Sequence, residues 1–397
     1  MERPLRVAHL VSHPIQYFAP LYRELAQRPE IDLTVYYYSD ASVRGYHDPE
    51  FGVTVQWDTP LLQGYRSVFA RNAARTGIDA GVRGGIHTDV LRAVVSGGYD
   101  VVWAHGYAYP TSWLALAIGR LRGTPIAIRE EQTLLHPRTL RKRLLKKLVL
   151  SPVFRGAWGL YIGEQNRRYL SAYGVKEDRL FPARYCVDND YLRRAGTELA
   201  PRREEVRRRL GIDDDNPVIL FVGKLIDKKQ PLRLLDAYAD IAHESGAWLV
   251  YVGDGALRAQ MEETIAARGL ERVRLAGFLN QSEMPAAFVA SDVLVLPSAL
   301  HETWGLVIND ALNFGLPVIV SDKVGSAEDL VRPGWNGTVI PHADTAALAD
   351  AMRQLVAKPE LRRLYGERGR ELVEAYSISA CADGIVAAVQ DAMEYHA

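Results

Sequence analysis

Two stretches of the chain carry residue types at a spacing that could do chemistry. The first is Phe221-Val222-Gly223-Lys224-Leu225-Ile226-Asp227-Lys228-Lys229-Gln230-Pro231. An apolar run ends at Gly223, and ligands of open α/β sheets bind just beyond strand C-termini. Lys224 and Lys229 flank the turn into the following helix. Two ammonium groups there could neutralise a diphosphate. The plainer alternative is a solvated basic turn, and no Walker pattern is present to decide. The second stretch runs from Ser298 through His301, Glu302, Thr303, Trp304, Gly305, Leu306 and Asp310 to Gly315-Leu316-Pro317-Val318-Ile319. A loop carrying Glu302 leads into a helix expected over 306–314, whose N-terminal N–H groups suit an anion. Glu302 alone could simply be favourable charge near a helix start. Asp310 lies inside the apolar helical run Val307-Ile308…Ala311-Leu312, where a carboxylate needs a partner.

These residues need elements to hold them. Short apolar or β-branched runs alternate with helical patterns along the chain. Strands are expected at 6–11, 32–38, 101–104, 125–128 and 160–162, then at 218–222, 248–252, 273–276, 293–296 and 317–321. Helices are expected at 20–27, 111–122 and 140–154, then at 232–244, 256–268, 306–314 and 345–355. Near-continuous apolar strands separated by helices mean parallel sheets covered on both faces. Two such series predict an α/β chain of two facing, doubly wound Rossmann-like domains. The stretch 40–85 has weak periodicity and reads as a long loop, which inside a compact domain is functional or mobile. Gly211 to Pro217, Gly-Ile-Asp-Asp-Asp-Asn-Pro, is strong turn chemistry before a buried strand. The expected divisions are a domain over 1–195, a second over 196–379 and a C-terminal helix over 380–397 returning to the first.

Composition narrows the function. The 397 residues are 48% apolar and 24% charged, as in ordinary globular chains. Lys+Arg and Asp+Glu both number 48, which argues against a nucleic-acid binder acting through bulk positive charge. The halves differ, however, with 27 basic against 18 acidic residues in 1–195 and 21 against 30 in the remainder. Two cysteines, Cys186 and Cys381, exclude a disulfide scaffold and a cysteine-rich zinc site. No Asp-x-Asp metal pair stands in a suitable place, so no metal is expected. No run approaches the ~20 apolar residues of a membrane span, and the expected location is cytoplasmic.

At these residues the chain resembles a known family, the retaining nucleotide-sugar glycosyltransferases of the GT-B fold, family 4. The resemblance rests on Glu302 and Asp310 with seven residues between them, followed by Gly315-Leu316-Pro317-Val318-Ile319. Gly223-Lys224-Leu225 with Lys229, Val252-Gly253-Asp254-Gly255, Gly277-Phe278-Leu279 and Val187-Asp188-Asn189 add to it. Two positions depart from the family pattern: Asp310 stands where Glu is usual, and Lys224 where Arg is usual, which keeps the charge but loses the fork geometry.

The resemblance implies a nucleoside-diphosphate sugar as donor and a glycan, lipid-linked or small-molecule acceptor, with no required cofactor. Lys224 and Lys229 would hold the diphosphate beyond Gly223. Glu302 would bind donor-sugar hydroxyls, supported by the backbone of Thr303, Trp304, Gly305 and Leu306. Asp310 would reach the ribose, and Phe278-Leu279 would lie beside the nucleobase. His105, at a strand end, resembles the family's donor-sugar histidine. Retention is implied, by front-face attack without a protein nucleophile. A GT-B phosphorylase or epimerase and a non-catalytic nucleotide-sugar binder are the rival classes.

The first half offers less regular candidates. The turn Ser12-His13-Pro14-Ile15-Gln16-Tyr17 follows the first strand. His13 and Gln16 could hydrogen-bond an acceptor sugar and Tyr17 could stack on one, or the loop packs against its own domain. Glu130 either contacts the acceptor or pairs with Arg129. The stretch Arg138–Lys147 is basic and amphipathic, with Leu140, Leu144, Leu145 and Leu148 among its cations. Either it touches the inner face of a membrane, or it is a solvated helix whose leucines belong to the core.

Overall fold

The computed structural model describes residues 3–77, 80–135 and 138–396. It divides into two compact units. The first comprises residues 1–46, 55–186 and 377–397, and the second comprises 47–54 and 187–376.

The strands in chain order are β1 (Leu5–Val11), β2 (Ile31–Tyr37), β3 (Tyr46–Asp48), β4 (Val53–Val55), β5 (Arg66–Phe69), β6 (Val101–His105), β7 (Ile126–Arg129), β8 (Ala157–Tyr161) and β9 (Leu180–Pro182). The sheet of the first unit has the order β5-β2-β1-β6-β7-β8-β9, with every pairing parallel. The order reverses between β1 and β6, which makes a topological switch point at their C-terminal ends. Strands β3 and β4 form a separate two-stranded sheet.

The second unit carries β10 (Val218–Val222), β11 (Trp248–Val252), β12 (Val273–Gly277), β13 (Val293–Leu296), β14 (Val318–Ser321) and β15 (Gly337–Ile340). Their order is β12-β11-β10-β13-β14-β15, again all parallel. The switch point here lies between β10 and β13. Ile219, Phe221, Leu249, Tyr251, Val293, Val295 and Ile319 are buried with Leu234, Leu235, Leu348 and Met352 of the covering helices Pro231–Ala239 and Thr345–Ala357. Apolar strands covered on both faces account for the near-continuous runs in the sequence.

Several expected boundaries move. The strand expected at 160–162 starts at Ala157, because Ala157, Trp158 and Gly159 pair with β7 despite the weak strand propensity of the alanine and glycine. The helix expected over 232–244 breaks into Pro231–Ala239 and Ala242–Ser245. The supposed loop 40–85 supplies edge strand β5, which pairs Arg66 to Phe69 with β2 and alternates exposed and half-buried residues. Helix Asn189–Leu199 lies in the second unit, so the units divide at 186/187 rather than at 195/196. Asn313 Nδ2 donates to Asn189 Oδ1 (2.8 Å) and Arg193 Nε to Asn313 Oδ1 (3.1 Å), tying that helix to Val307–Asn313. The final helix, Ile378–His396, lies in the first unit. Trp158 Nε1 donates to its Asp391 (2.6 Å), and Arg28 pairs with its Asp383 (2.9 Å). By length and composition this region includes a helix that could cross a membrane, but more than half of its apolar window is buried, as in a core helix.

Candidate active site

Both lysines named by the sequence stand at the switch point of the second unit. Strand β10 ends at Val222, and Gly223 leads into a short 3-10 turn, Asp227–Lys229, before helix Pro231–Ala239. The turn is tight against its neighbour: a Cβ on Gly253 would sit 2.0 Å from the Gly223 carbonyl oxygen. Gly253 is therefore a requirement of close backbone approach. Asp254 accepts from its neighbour Gly255 N–H (2.8 Å) and from Arg258 Nη1 (3.2 Å), so it builds the turn.

Lys229 Nζ donates to Glu302 Oε2. Ser298 Oγ donates to the same oxygen at 2.9 Å. The Ala299 N–H donates to the Lys228 carbonyl (2.9 Å), fastening the loop after β13 to the lysine turn. Glu302 is buried, with 8% of its surface exposed. Its backbone is fixed by the Gly325 N–H donating to its carbonyl at 2.9 Å. A Cβ on Gly325 would lie 1.9 Å from the Thr303 carbonyl oxygen, so only glycine allows that crossing. The carboxylate is thus held in place beside an ammonium.

Lys224 meets carboxylates of its own unit. Its Nζ donates to both oxygens of Asp48 (3.0 Å each) and to Glu50 Oε2 (2.8 Å). Lys228 Nζ donates to Glu50 Oε1 (2.9 Å). Hydrogen bonds from Lys224 and then Lys228 pull the Glu50 carboxyl down to about 2. The Phe51 ring lies under Lys224 Nζ at 4.8 Å and edge-on to Phe278 at 5.4 Å. Segment 47–54 therefore presents two carboxylates to Lys224, one of the two lysines expected at the diphosphate, and a ring to Phe278, expected beside the base.

Asp310 is 8% exposed, and burial alone raises its carboxyl to about 7. Its side chain makes no hydrogen bond among the described residues. A buried carboxylate left unpaired by its own chain is costly, and it is an open acceptor. Its helix, Val307–Asn313, is only seven residues long. That is shorter than the expected 306–314, and few peptide dipoles add along so short a helix. Charge at this site rests on the lysines. Trp304 is 3% exposed and its Nε1 donates to Asn309 Oδ1 (2.9 Å), so its side chain is core. Thr303, Gly305, Leu306, Phe278 and Leu279 are half-buried.

The first unit gathers a second polar group at its own switch point. His13 follows β1 and His105 ends β6. His105 Nε2–H donates to Glu131 Oε1 at 3.2 Å, and its Nδ1 is buried without a partner. Burial lowers the His105 pKa against the opposing pull of Glu131. His13 is pushed down to about 4 by burial and by His105, and its Nδ1 lies 3.0 Å from Ser12 Oγ. Gln16 and Tyr17 are half-buried on the same turn. Burial, and then the charge of Glu131, raise the Glu130 carboxyl to about 7. Arg129 does not pair with Glu130. Its guanidinium lies between the rings of Phe18 (5.0 Å) and Tyr185 (5.3 Å), and its Nη1 points at Cys381 Sγ (3.6 Å). Sequence reasoning passed over Glu131, although a carboxylate doublet just beyond a buried strand was a visible signal. Among the described residues no group of three or more His, Cys, Asp or Glu side chains is placed to hold a metal ion.

Comparison with known proteins bears on this site. Residues 202–372 match the model of the family described as glycosyl transferases group 1. The alpha-D-kanosaminyltransferase of Streptomyces kanamyceticus is 34% identical over 198 residues, which is 49% of this chain and 50% of that protein. The 2-deoxystreptamine N-acetyl-D-glucosaminyltransferase of Streptomyces fradiae is 33% identical over 187 residues, 44% of each chain. This chain spans about half the length of the curated relatives it matches. Solved structures extend the likeness of fold to the whole chain. A glycosyltransferase from Rickettsia africae superposes with a TM-score of 0.75 at 14% identity, over 99% of this chain and 100% of that one. The Anabaena protein Alr3699/HepE, solved in complex with UDP and glucose, gives 0.71 at 16% identity over 98% and 100%. The chain thus has the fold of these glycosyltransferases, and residues 202–372 of its second unit match the glycosyl transferases group 1 family.

Proposed function

We propose that this chain is a retaining glycosyltransferase that moves a sugar from a nucleoside-diphosphate sugar to a glycan, glycolipid or small-molecule acceptor. The observation that carries this reading is the cluster of Lys229, Glu302 and Ser298 at the C-terminal ends of β10 and β13, with Lys224 and Lys228 beside it. Breaking a sugar–diphosphate bond leaves negative charge on the departing phosphate and an electron-poor anomeric carbon. Preorganised cations beside the leaving group are the largest contribution a protein can make to such a step. Lys224 and Lys229 supply them, and Asp48 and Glu50 yield Lys224 to the diphosphate. Glu302, fixed by Lys229 and Ser298, accepts hydroxyls of the donor sugar. Asp310 accepts the ribose hydroxyls that its own chain does not replace. The complexes of the Anabaena protein with UDP and glucose support a nucleotide donor.

The first unit takes the acceptor. His105 commits its Nε2 to Glu131 and buries Nδ1, so contact with a donor sugar requires its ring to turn. Glu131 bonds both His105 and the Tyr185 hydroxyl, and its remaining lone pairs can accept from an incoming hydroxyl. Leaving-phosphate oxygen assists deprotonation of the acceptor, and no side chain is assigned as nucleophile.

A thermal-shift screen of UDP-, GDP- and ADP-sugars tests the reading, because a ligand that binds only the folded state raises its melting temperature. One donor class is expected to stabilise the chain and to lose its sugar to an acceptor with the anomeric configuration kept. Release of sugar 1-phosphate from a glycan in inorganic phosphate would instead mark a phosphorylase. Stabilisation without any transfer or donor hydrolysis would mark a binding protein.

A further inference from the structure

Helix Leu140–Phe154 of the first unit is turned inside out. Leu140 is 70% exposed, Leu144 55%, Leu145 63%, Leu148 74% and Val149 52%. At about 3.6 residues per turn, Leu140, Leu144 and Leu148 form one row, with Leu145 and Val149 in the row beside them. The side that meets the protein carries Leu150 and Phe154, both buried, and a lysine. That lysine, Lys146, is half-buried, with its ammonium over the rings of Tyr107 (5.4 Å), Tyr169 (4.9 Å) and Tyr173 (5.4 Å). The core alternative for the leucines therefore fails: the helix docks through its last turns and one caged cation, and its leucines face outward.

An apolar face of this kind marks a surface of interaction, and its charges say with what. From Gln132 to Gly163 the sequence holds Arg138, Arg141, Lys142, Arg143, Lys146, Lys147 and Arg155 and no acidic residue. Lys142 and Lys147 border the apolar rows on opposite sides, and Arg141 lies within them. A second copy of this chain is a poor occupant, because a two-fold interface would set these like charges against themselves. An apolar stripe rimmed by cations fits a surface that is apolar inside and anionic at its edge. We propose that helix Leu140–Phe154 lies in the headgroup region of an anionic phospholipid bilayer, with Leu140, Leu144, Leu145, Leu148 and Val149 buried among the acyl chains and Arg141, Lys142 and Lys147 among the phosphates. The surface does not depend on the donor chemistry of the second unit.

Co-sedimentation of the full chain with vesicles tests this. Binding is expected to vesicles of phosphatidylcholine with phosphatidylglycerol, with little to phosphatidylcholine alone, and added salt should weaken it. Leu144→Ser with Leu148→Ser leaves the charge unchanged, touches only exposed positions, and should lower the partition coefficient at least about tenfold. Lys142→Gln with Lys147→Gln should lower it by a similar factor and flatten the salt dependence. A melting temperature unchanged in both variants verifies the fold. Failure of the wild-type chain to bind anionic vesicles at low salt overturns the proposal. So does unchanged binding by the serine pair, since the attraction would then be a general effect of the basic half. A dimer in solution that the serine pair dissociates, without vesicle binding, would assign the face to self-association instead.

Discussion

At the scale of single residues, Asp310 and Glu302 are two carboxylates treated in opposite ways. Glu302 has a cation and a hydroxyl on it, whereas burial alone acts on Asp310 and holds its carboxyl at about 7. For an acid raised in the folded state, the native chain binds more protons than the unfolded chain between the ordinary carboxyl range and pH 7. Stability therefore falls as pH rises through that window. Asp310→Asn should remove the penalty, stabilising the chain by up to about 4 kcal/mol at pH 8 and by less at pH 5, read as a larger rise in melting temperature at pH 8. It should also weaken the binding of a nucleoside diphosphate, and a 2′-deoxy nucleotide should be affected less. A pH-independent change in melting temperature would mean that the carboxyl is not buried as described. Lys224→Ala and Lys229→Ala should each cost roughly 1.5–3 kcal/mol of donor binding, the range for a hydrogen bond to a charged group. Titration calorimetry with the free diphosphate measures it. Glu302→Gln should spare that binding and lower turnover. These residues were legible in the sequence because strand ends in a doubly wound sheet are predictable and charged residues there have few other uses. Glu131 was in view only as the second acid of a doublet beyond β7, since the ring it faces across β6 and β7 is encoded by no local pattern.

The next scale is that of elements, and the least legible was segment 47–54. Weak periodicity hid both its strands, which hold three residues each. Nothing local indicated that Asp48 and Glu50 would rest on Lys224 and Lys228. Strand β5 was missed for a related reason, since an edge strand with one open side needs no apolar run. The buried strands β1, β6, β10, β11 and β13 were legible because both of their faces are covered and nearly every residue is apolar. The pairing of 47–54 has a consequence for donor binding. A diphosphate must displace these carboxylates from Lys224; the pair with exposed Glu50 holds by no more than about 1 kcal/mol, whereas Asp48 is buried beside the lysine. Asp48→Asn with Glu50→Gln should thus tighten free nucleoside diphosphate binding by about two- to fivefold. Slower transfer at saturating donor would show in addition that the segment closes over the bound nucleotide. Weaker binding in this pair of variants would mean that the carboxylates aid the donor and do not compete with it.

For the molecule as a whole, the sequence told of two Rossmann-like series and raised, as an expectation, a last helix that returns to the first unit. Its pattern is that of any apolar helix, and only long-range packing assigns it. Helix Ile378–His396 buries Cys381, Ala382, Ile385, Val386, Ala388, Val389 and Ala392. Its Gly384 approaches β9 so closely that a Cβ would lie 1.7 Å from the Pro182 carbonyl oxygen. Burying an Ile or Val side chain is worth about 1.5–3 kcal/mol, and whole domains are stable by only about 5–15 kcal/mol. Ile385, Val386 and Val389 alone are thus comparable with the entire margin of the first unit. The core described for the second unit closes around β10, β11, β13 and β14. A chain ending at Tyr376 should therefore lose the first unit while keeping the second. Its thermal unfolding should show a single transition that the stabilising nucleoside diphosphate still raises. Amide exchange should remain slow in β10, β11 and β13 and become fast in β1, β6 and β7. Protected amides in β1 and β6 of the shortened chain would show that the first unit folds without its last helix. That outcome would move the source of its stability to the contacts among its own strands and the helices between them.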